Sequence, residues 1–243
     1  MYRIAGLNVS ISGEGSMLRE RAEPYRIDYE GEADLVIDVT PEIVKEIRNA
    51  QPHLSEEECA YIYTGEEFNY HMIDCGGLKL HASAVVLDGE AYLFSAPSGT
   101  GKSTHTTLWR EYFGPERTFI LNDDAPIIKP EGDVLMAWGS PWSGTSPLSR
   151  NVGVPLKAIA FLEQSQKDWI MPMDYSDALI HIMGQTSRTQ LLDRLDKQIA
   201  TLNRLLKTVP IFRMGCTISH NAVETAYAAM NKGRSEVCVQ ESY

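Results

Sequence analysis

Polar and apolar side chains alternate over residues 2–12, the two-residue period of a β-strand with one buried face. The run "DLVIDV" (34–39) predicts a second strand. Thr40 and Pro41 then predict a helix start: the threonine hydroxyl caps, and proline takes the first helical position, where its missing N–H is not needed. "SEEE" (55–58) reads as a capping box from Ser55 to Glu58. Gly65 is expected to interrupt that helix, and a second helical stretch over 66–74 to end at Gly76 and Gly77.

The segment "LKLHASAVVLDGEAYLFSA" (78–96) holds two apolar runs around Asp88-Gly89, the sequence of a two-residue hairpin turn. If Leu87 pairs with Glu90, the same register sets His81 opposite Ala96. "STHTTLWREYF" (103–113) predicts a helix stopped by Gly114-Pro115, and "TFIL" (118–121) a buried strand ending at Asn122-Asp123-Asp124. Residues 125–150 read as loop-rich. "PLKAIAFLEQ" (155–164), "DWIMPM" (168–173) and "VPIFRM" (209–214) read as strands. A helix is expected from Ser187, boxed by Gln190, with Leu191, Leu195, Ile199, Leu202 and Leu206 as its apolar stripe. Asn221 and Glu224 are expected to cap a last helix ending near Gly233. The pattern divides the chain into an N-terminal α+β portion, 1–77, packed on a core at 78–243, with the two forming one compact unit.

Between the hairpin and the helix lies "FSAPSGTGKSTHTT" (94–107). A strand, the spacing [Ala/Gly]-x-x-x-x-Gly-Lys-[Ser/Thr] and a helix together predict a phosphate-binding loop, with Ala96 in the first position. Gly99 and Gly101 let successive N–H groups turn inward, and the helix N-terminus adds partial positive charge. Ser98, Thr100 and Thr104 belong to the same loop. Lys102 can reach the β- and γ-phosphates of ATP, while Ser103 can place its hydroxyl on Mg²⁺. "FILNDD" matches the apolar strand with an acidic end that accompanies such loops. One helix and one returning strand separate Lys102 from Asp123, which brings the carboxylates back beside the loop. One can hold the metal and the other accept a proton from an attacking hydroxyl. The loop "WGSPWSGTSPLSRN" (138–151) reads two ways: a lid or acceptor site with Arg150 on a phosphate, or an irregular connection whose tryptophans plug the core. His105 is expected on the solvent face of the loop helix.

The motifs "LHASAV", "SGTGKST" and "LNDD", in that order, resemble the HPr kinase/phosphorylase family and its relative, ATP-dependent phosphoenolpyruvate carboxykinase. The resemblance covers residues 78–165. It implies a mixed β-sheet P-loop fold with C-terminal helices and a Mg²⁺/ATP-dependent kinase. In that reading Lys102 binds phosphates, Ser103 binds the metal, Asp123 is the base, Asp124 assists at the metal and His81 assists near the phosphates. Thr104 stands where a glutamate often follows the loop serine in the family, and the chain is too short for a carboxykinase. The implied acceptor is a hydroxyl, on a peptide or protein serine or on a small metabolite. A non-catalytic ATP-binding module is the alternative from another class.

Composition narrows the setting. Hydrophobic residues make up 43% of 243, enough for a sizeable core, and the net charge of −11 argues against nucleic acid or an anionic membrane as partner. Cys59, Cys75, Cys216 and Cys238 are far apart, with no metal-binding spacing. The expected protein is cytoplasmic, with a nucleotide and an unidentified hydroxyl compound as partners and a possible homo-oligomeric state.

Overall fold

The computed structural model describes residues 1–187 and 192–232. Gln190, Leu191, Gly233 and Cys238 lie outside them. Three strands, β1 (Tyr2–Ile4), β2 (Leu7–Ser12) and β3 (Leu35–Asp38), form a small sheet in that order, with α1 (Gly15–Ala22) and a 3₁₀ turn (Glu23–Tyr25) between β2 and β3. The expected single strand over 2–12 is thus two, because Ala5 and Gly6 both take positive φ and turn the chain back on itself. Helix α2 (Pro41–Ala50) starts as predicted, with Thr40 accepting from the Ile43 N–H at 3.4 Å.

Helix α3 (Glu56–Asp74) carries both halves of its capping box. It runs unbroken through Gly65, against expectation. A Cβ at Gly65 would lie 2.9 Å from the Trp142 ring, so glycine there makes room for packing and does not end the helix. Trp142 is buried, stacks on Phe68 with ring centroids 4.9 Å apart and donates its indole N–H to Thr64 Oγ1. It joins residues of the first 77 positions (Tyr2, Ile4, Phe68, Met72) to Ala125 and Ile127 in one apolar cluster.

The large sheet is mixed. Strands β4 (Leu78–Lys79), β5 (Ala82–Leu87), β6 (Glu90–Ser95), β7 (Thr118–Asn122), β8 (Ile127–Glu131), β9 (Val134–Trp138) and β10 (Gly153–Gln164) run in the order β4-β8-β9-β10-β6-β5-β7. Strands β11 (Trp169–Pro172) and β12 (Ile211–Cys216) extend it beyond β10, where β12 pairs parallel to β10. The hairpin at Asp88-Gly89 has both residues at positive φ and pairs Leu87 with Glu90, as expected. Residues 125–150 are less loop-rich than their sequence suggests, since β8 and β9 form an antiparallel hairpin there.

Period-two alternation splits the sheet's side chains between two helical layers. Ala84, Val86, Leu93 and Ile159 pack with α5 (Tyr175–Gly184) and α6 (Leu192–Thr208). Val85, Tyr92, Phe94 and Ala160 pack with α4 (Lys102–Phe113) and α7 (His220–Met230). Helix α5 is not among the elements the sequence pattern predicts. On α6 the buried face is Gln198, Thr201, Leu202, Leu205 and Leu206, whereas Ile199 is exposed. The helix is rotated from its apolar stripe because Thr201 Oγ1 donates to Gly76 O and Gln198 Nε2 to Ser187 O. Ser219, not Asn221, caps α7, and Glu224 instead accepts from Tyr112 OH. Among the described residues no helix is long and apolar enough to cross a membrane.

Trp142→Ala should lower the free energy of unfolding by about 3 kcal/mol, because it opens a cavity shared by the N-terminal elements and the large sheet. Urea denaturation followed by circular dichroism measures this.

Candidate phosphate-binding site

Strand β6 delivers the chain into the loop 96–101, and α4 carries it away. Gly99 and Gly101 sit at φ of 80° and 114°, and a Cβ on either would meet nothing within 4 Å. Glycine is needed there for backbone conformation, not for space. Thr100 closes the bend by donating its N–H and hydroxyl to Pro97 O. Lys102, the first helical residue, is buried, and its ammonium donates to Ala96 O at 2.9 Å. Burial lowers its pKa, while Asp124 and Asp123 act to raise it.

Strand β5 lies between β6 and β7, antiparallel to both, so β6 and β7 are parallel and end on the same edge of the sheet. That places Asp123 and Asp124 beside the loop. The resulting cleft, about 330 Å³, is lined by His81, Ser98, Gly99 and Gly101 to Thr104 together with both aspartates. Its far wall is Ser143 to Ser146. Gly144 packs so closely that a Cβ there would lie 2.9 Å from Asp124 Cβ.

Asp123 is held by a side chain the sequence does not single out, and Asp124 lies against His81, which it does. Ser83 Oγ donates to Asp123 Oδ1 at 2.6 Å and lies 2.8 Å from Thr106 Oγ1. The single Ser83 proton goes to the carboxylate, which only accepts, so Thr106 is the donor in the second bond. His81 lies just beyond the last hairpin pair, Ala82 with Ser95, where the register sets it. Its Nε2 is 3.3 Å from Asp124 Oδ1, and its Nδ1 is 2.9 Å from Gln185 Oε1 on the far side. Ser83 belongs to "LHASAV" and Thr106 to the loop helix. Neither spacing marks them, because the contact crosses from β5 to α4 and β7.

Asn122 is fully buried behind the two aspartates. Its Oδ1 accepts from the N–H groups of Asp124 and Ala125, and its Nδ2 donates to Ser140 O at 2.8 Å. The loop 138–151 divides between the core and the cleft lining. Trp142 plugs the core, while Ser143 to Ser146 face the cleft. Arg150 does neither: it is exposed and lies over the Phe119 ring at 4.3 Å, outside the cleft lining. Packing against Phe94 of β6, with ring centroids 4.5 Å apart, overturns the expected solvent position of His105, which is 2% exposed. Trp109 Nε1 donates to His105 Nε2 at 3.1 Å, so the ring proton sits on Nδ1. Burial lowers the His105 pKa to about 4, and a second proton would also displace the tryptophan bond.

The residues fit a magnesium nucleotide. Mg²⁺ commonly takes one or two protein oxygens and completes its shell with phosphates and water, and Ser103 and Asp124 both face the cleft. No group of three or more His, Cys, Asp or Glu gathers as a metal cage among the described residues.

A family model described as SynChlorMet cassette protein ScmC matches residues 66–230. Among solved structures, the Hpr(Ser) kinase/phosphatase from Coxiella burnetii aligns at 11% identity and a TM-score of 0.37, over 68% of this chain and 99% of that one. No curated protein matches the chain.

The His105 imidazole binds a proton more weakly in the fold, near pH 4, than in the unfolded chain, near its ordinary 6.5. Its stabilisation is complete above pH 6.5 and is lost as pH falls toward 4, up to about 3 kcal/mol. His105→Gln should flatten the fall in stability between pH 6.5 and 4 relative to the unaltered protein, measured by urea titrations across that range.

Proposed function

The chain belongs to the SynChlorMet cassette protein ScmC family, and we propose that it is an ATP-dependent kinase that transfers the γ-phosphate to a hydroxyl acceptor. One observation carries the reading: a single cleft holds both the buried Lys102 ammonium, at the start of a helix, and Asp123, whose carboxylate Ser83 holds in place. Phosphoryl transfer asks for little else than positioning and charge stabilisation.

In this reading the loop N–H groups and Lys102 hold the β- and γ-phosphates. Their negative charge replaces Ala96 O as the partner of the ammonium and offsets the desolvation that weakens it. Ser103 and Asp124 would hold Mg²⁺, which would supply neutralisation of the phosphate charge. The acceptor oxygen enters between Asp123 and the wall at Ser143 to Ser146. Its proton passes to Asp123 as the oxygen bonds to the γ-phosphorus. The bond from that phosphorus to the β–γ bridging oxygen breaks, leaving ADP and a phosphate ester. Ser83 and Thr106 are positioning residues for the base, and His81 positions Asp124. The acceptor is a serine-bearing peptide or protein, or a small hydroxyl metabolite.

Incubation with [γ-³²P]ATP, Mg²⁺ and a host-cell extract tests the proposal. Label should appear in one acceptor fraction and be absent with Lys102→Ala. Asp123→Asn should bind ATP within about threefold of the unaltered protein by calorimetry, yet lose on the order of 10²-fold or more in transfer rate. Equal transfer by Asp123→Asn would remove it as the base. ATP binding with no labelled product in any fraction would favour a nucleotide-binding regulatory module.

A further inference from the structure

A second cavity adjoins the phosphate cleft, and no part of the proposed chemistry uses it. It measures about 310 Å³, at the small end of the range for organic ligands. Its floor is set by strand register. Phe161 on β10 pairs with Ser95 on β6 and with Arg213 on β12, and all three strands run parallel. The cavity therefore sits over their carboxyl ends, where open α/β sheets take their ligands. Its walls are mostly apolar, from Pro97, Phe161, Leu162 and the exposed Ile180 of α5. Its polar lining is Ser95, His181, Gln185 and one ion pair, in which Arg213 Nε and Nη2 both donate to Glu163 Oε2 at 2.9 and 2.6 Å.

Two features join this cavity to the cleft. Ala96 and Pro97 line the cavity while Ser98 and Gly99 line the cleft, so one peptide bond of the loop separates them. Gln185 lines the cavity and accepts from His81, which lines the cleft. Sheet order decides the direction. β10 and β12 lie on one side of β6, whereas β7, whose end leads into Asp123, lies on the other. A ligand spanning both spaces has its phosphates in the loop and its remaining body on the side away from the carboxylate that takes the proton.

We infer that this cavity receives the nucleoside of the phosphate donor, leaving the side of Asp123 and Ser143 to Ser146 for the acceptor; the inference rests on the kinase reading of the cleft. The base lies between Pro97, Phe161 and Ile180. The Glu163 carboxylate accepts from a ribose hydroxyl, and the Arg213 guanidinium offers a flat cation against the base edge.

Calorimetry with ATP and with inorganic tripolyphosphate, both with Mg²⁺, separates the two parts of the ligand. The ratio of the tripolyphosphate Kd to the ATP Kd reports the nucleoside contribution alone. It should be well above one in the unaltered protein and fall at least fivefold in the double variant Ile180→Gln, Arg213→Ala. Both positions are solvent-facing, and thermal melting checks that the variant folds. A ratio near one in the unaltered protein, or a ratio unchanged in the variant, overturns the inference while leaving the cleft reading intact. If neither ligand binds, or if Lys102→Ala binds both as well as the unaltered protein, the cleft reading falls and this inference with it.

Discussion

One buried amide fixes the geometry on which the site depends. Asn122 ends β7, and its side chain makes bonds in two directions: its oxygen takes the N–H groups of the next turn, and its nitrogen reaches the carbonyls of Ser140 and Trp142. The first set aims Asp123 and Asp124 at the loop. The second ties those aspartates to the opposite wall of the cleft. Because the amide is fully buried, each bond made in the fold replaces one made to water, and each one broken would strand a backbone group at a cost of about 1–3 kcal/mol. No apolar or charged residue of similar size can satisfy donors and acceptors on both sides at once.

Around that pin, charge is arranged against the trend of the chain. The protein carries a net charge of −11, yet the cleft gathers an ammonium and a helix N-terminus. Partial burial weakens the hold of Lys102 on its proton, and the two aspartates oppose that shift. The arrangement suits a ligand that brings negative phosphates and a divalent cation together. Without the cation, a polyphosphate would meet two carboxylates at close quarters.

The N-terminal residues take part in the cleft. Tyr61 of α3 accepts from the Ser143 N–H at 2.8 Å, and Arg21 of α1 donates to Tyr61 OH and to Gly144 O. The wall opposite the loop is thus hung from helices that precede it by about eighty residues or more. Burial raises the Tyr61 pKa, and the Arg21 guanidinium opposes that rise. The small sheet and its helices therefore do more than cover apolar surface: they hold the cleft wall opposite the loop.

Local rules made much of the chain legible. The capping box at Ser55, the Thr40-Pro41 start, the Asp88-Gly89 turn and the strand–loop–helix around Lys102 each depend on residues within a few positions of one another. The hairpin register even located His81, since pairing two strands across a fixed turn leaves no freedom. Where several elements meet, the sequence is silent or misleading. Gly65 reads as a break but is a seat for Trp142, seventy-seven residues away. His105 reads as exposed but is buried against Phe94 and Trp109, and Ile199 reads as core but faces solvent. By itself, then, the sequence determined the capped helix starts, the Asp88-Gly89 hairpin, the loop and the acidic strand end, because short-range backbone sterics and hydrogen bonding specify them. Only the tertiary structure decided that Ser83 grips Asp123, that Arg150 lies outside the cleft and that a second cavity opens beyond Pro97. Those contacts join strands and helices distant in the chain, and no local pattern encodes which of their faces will meet.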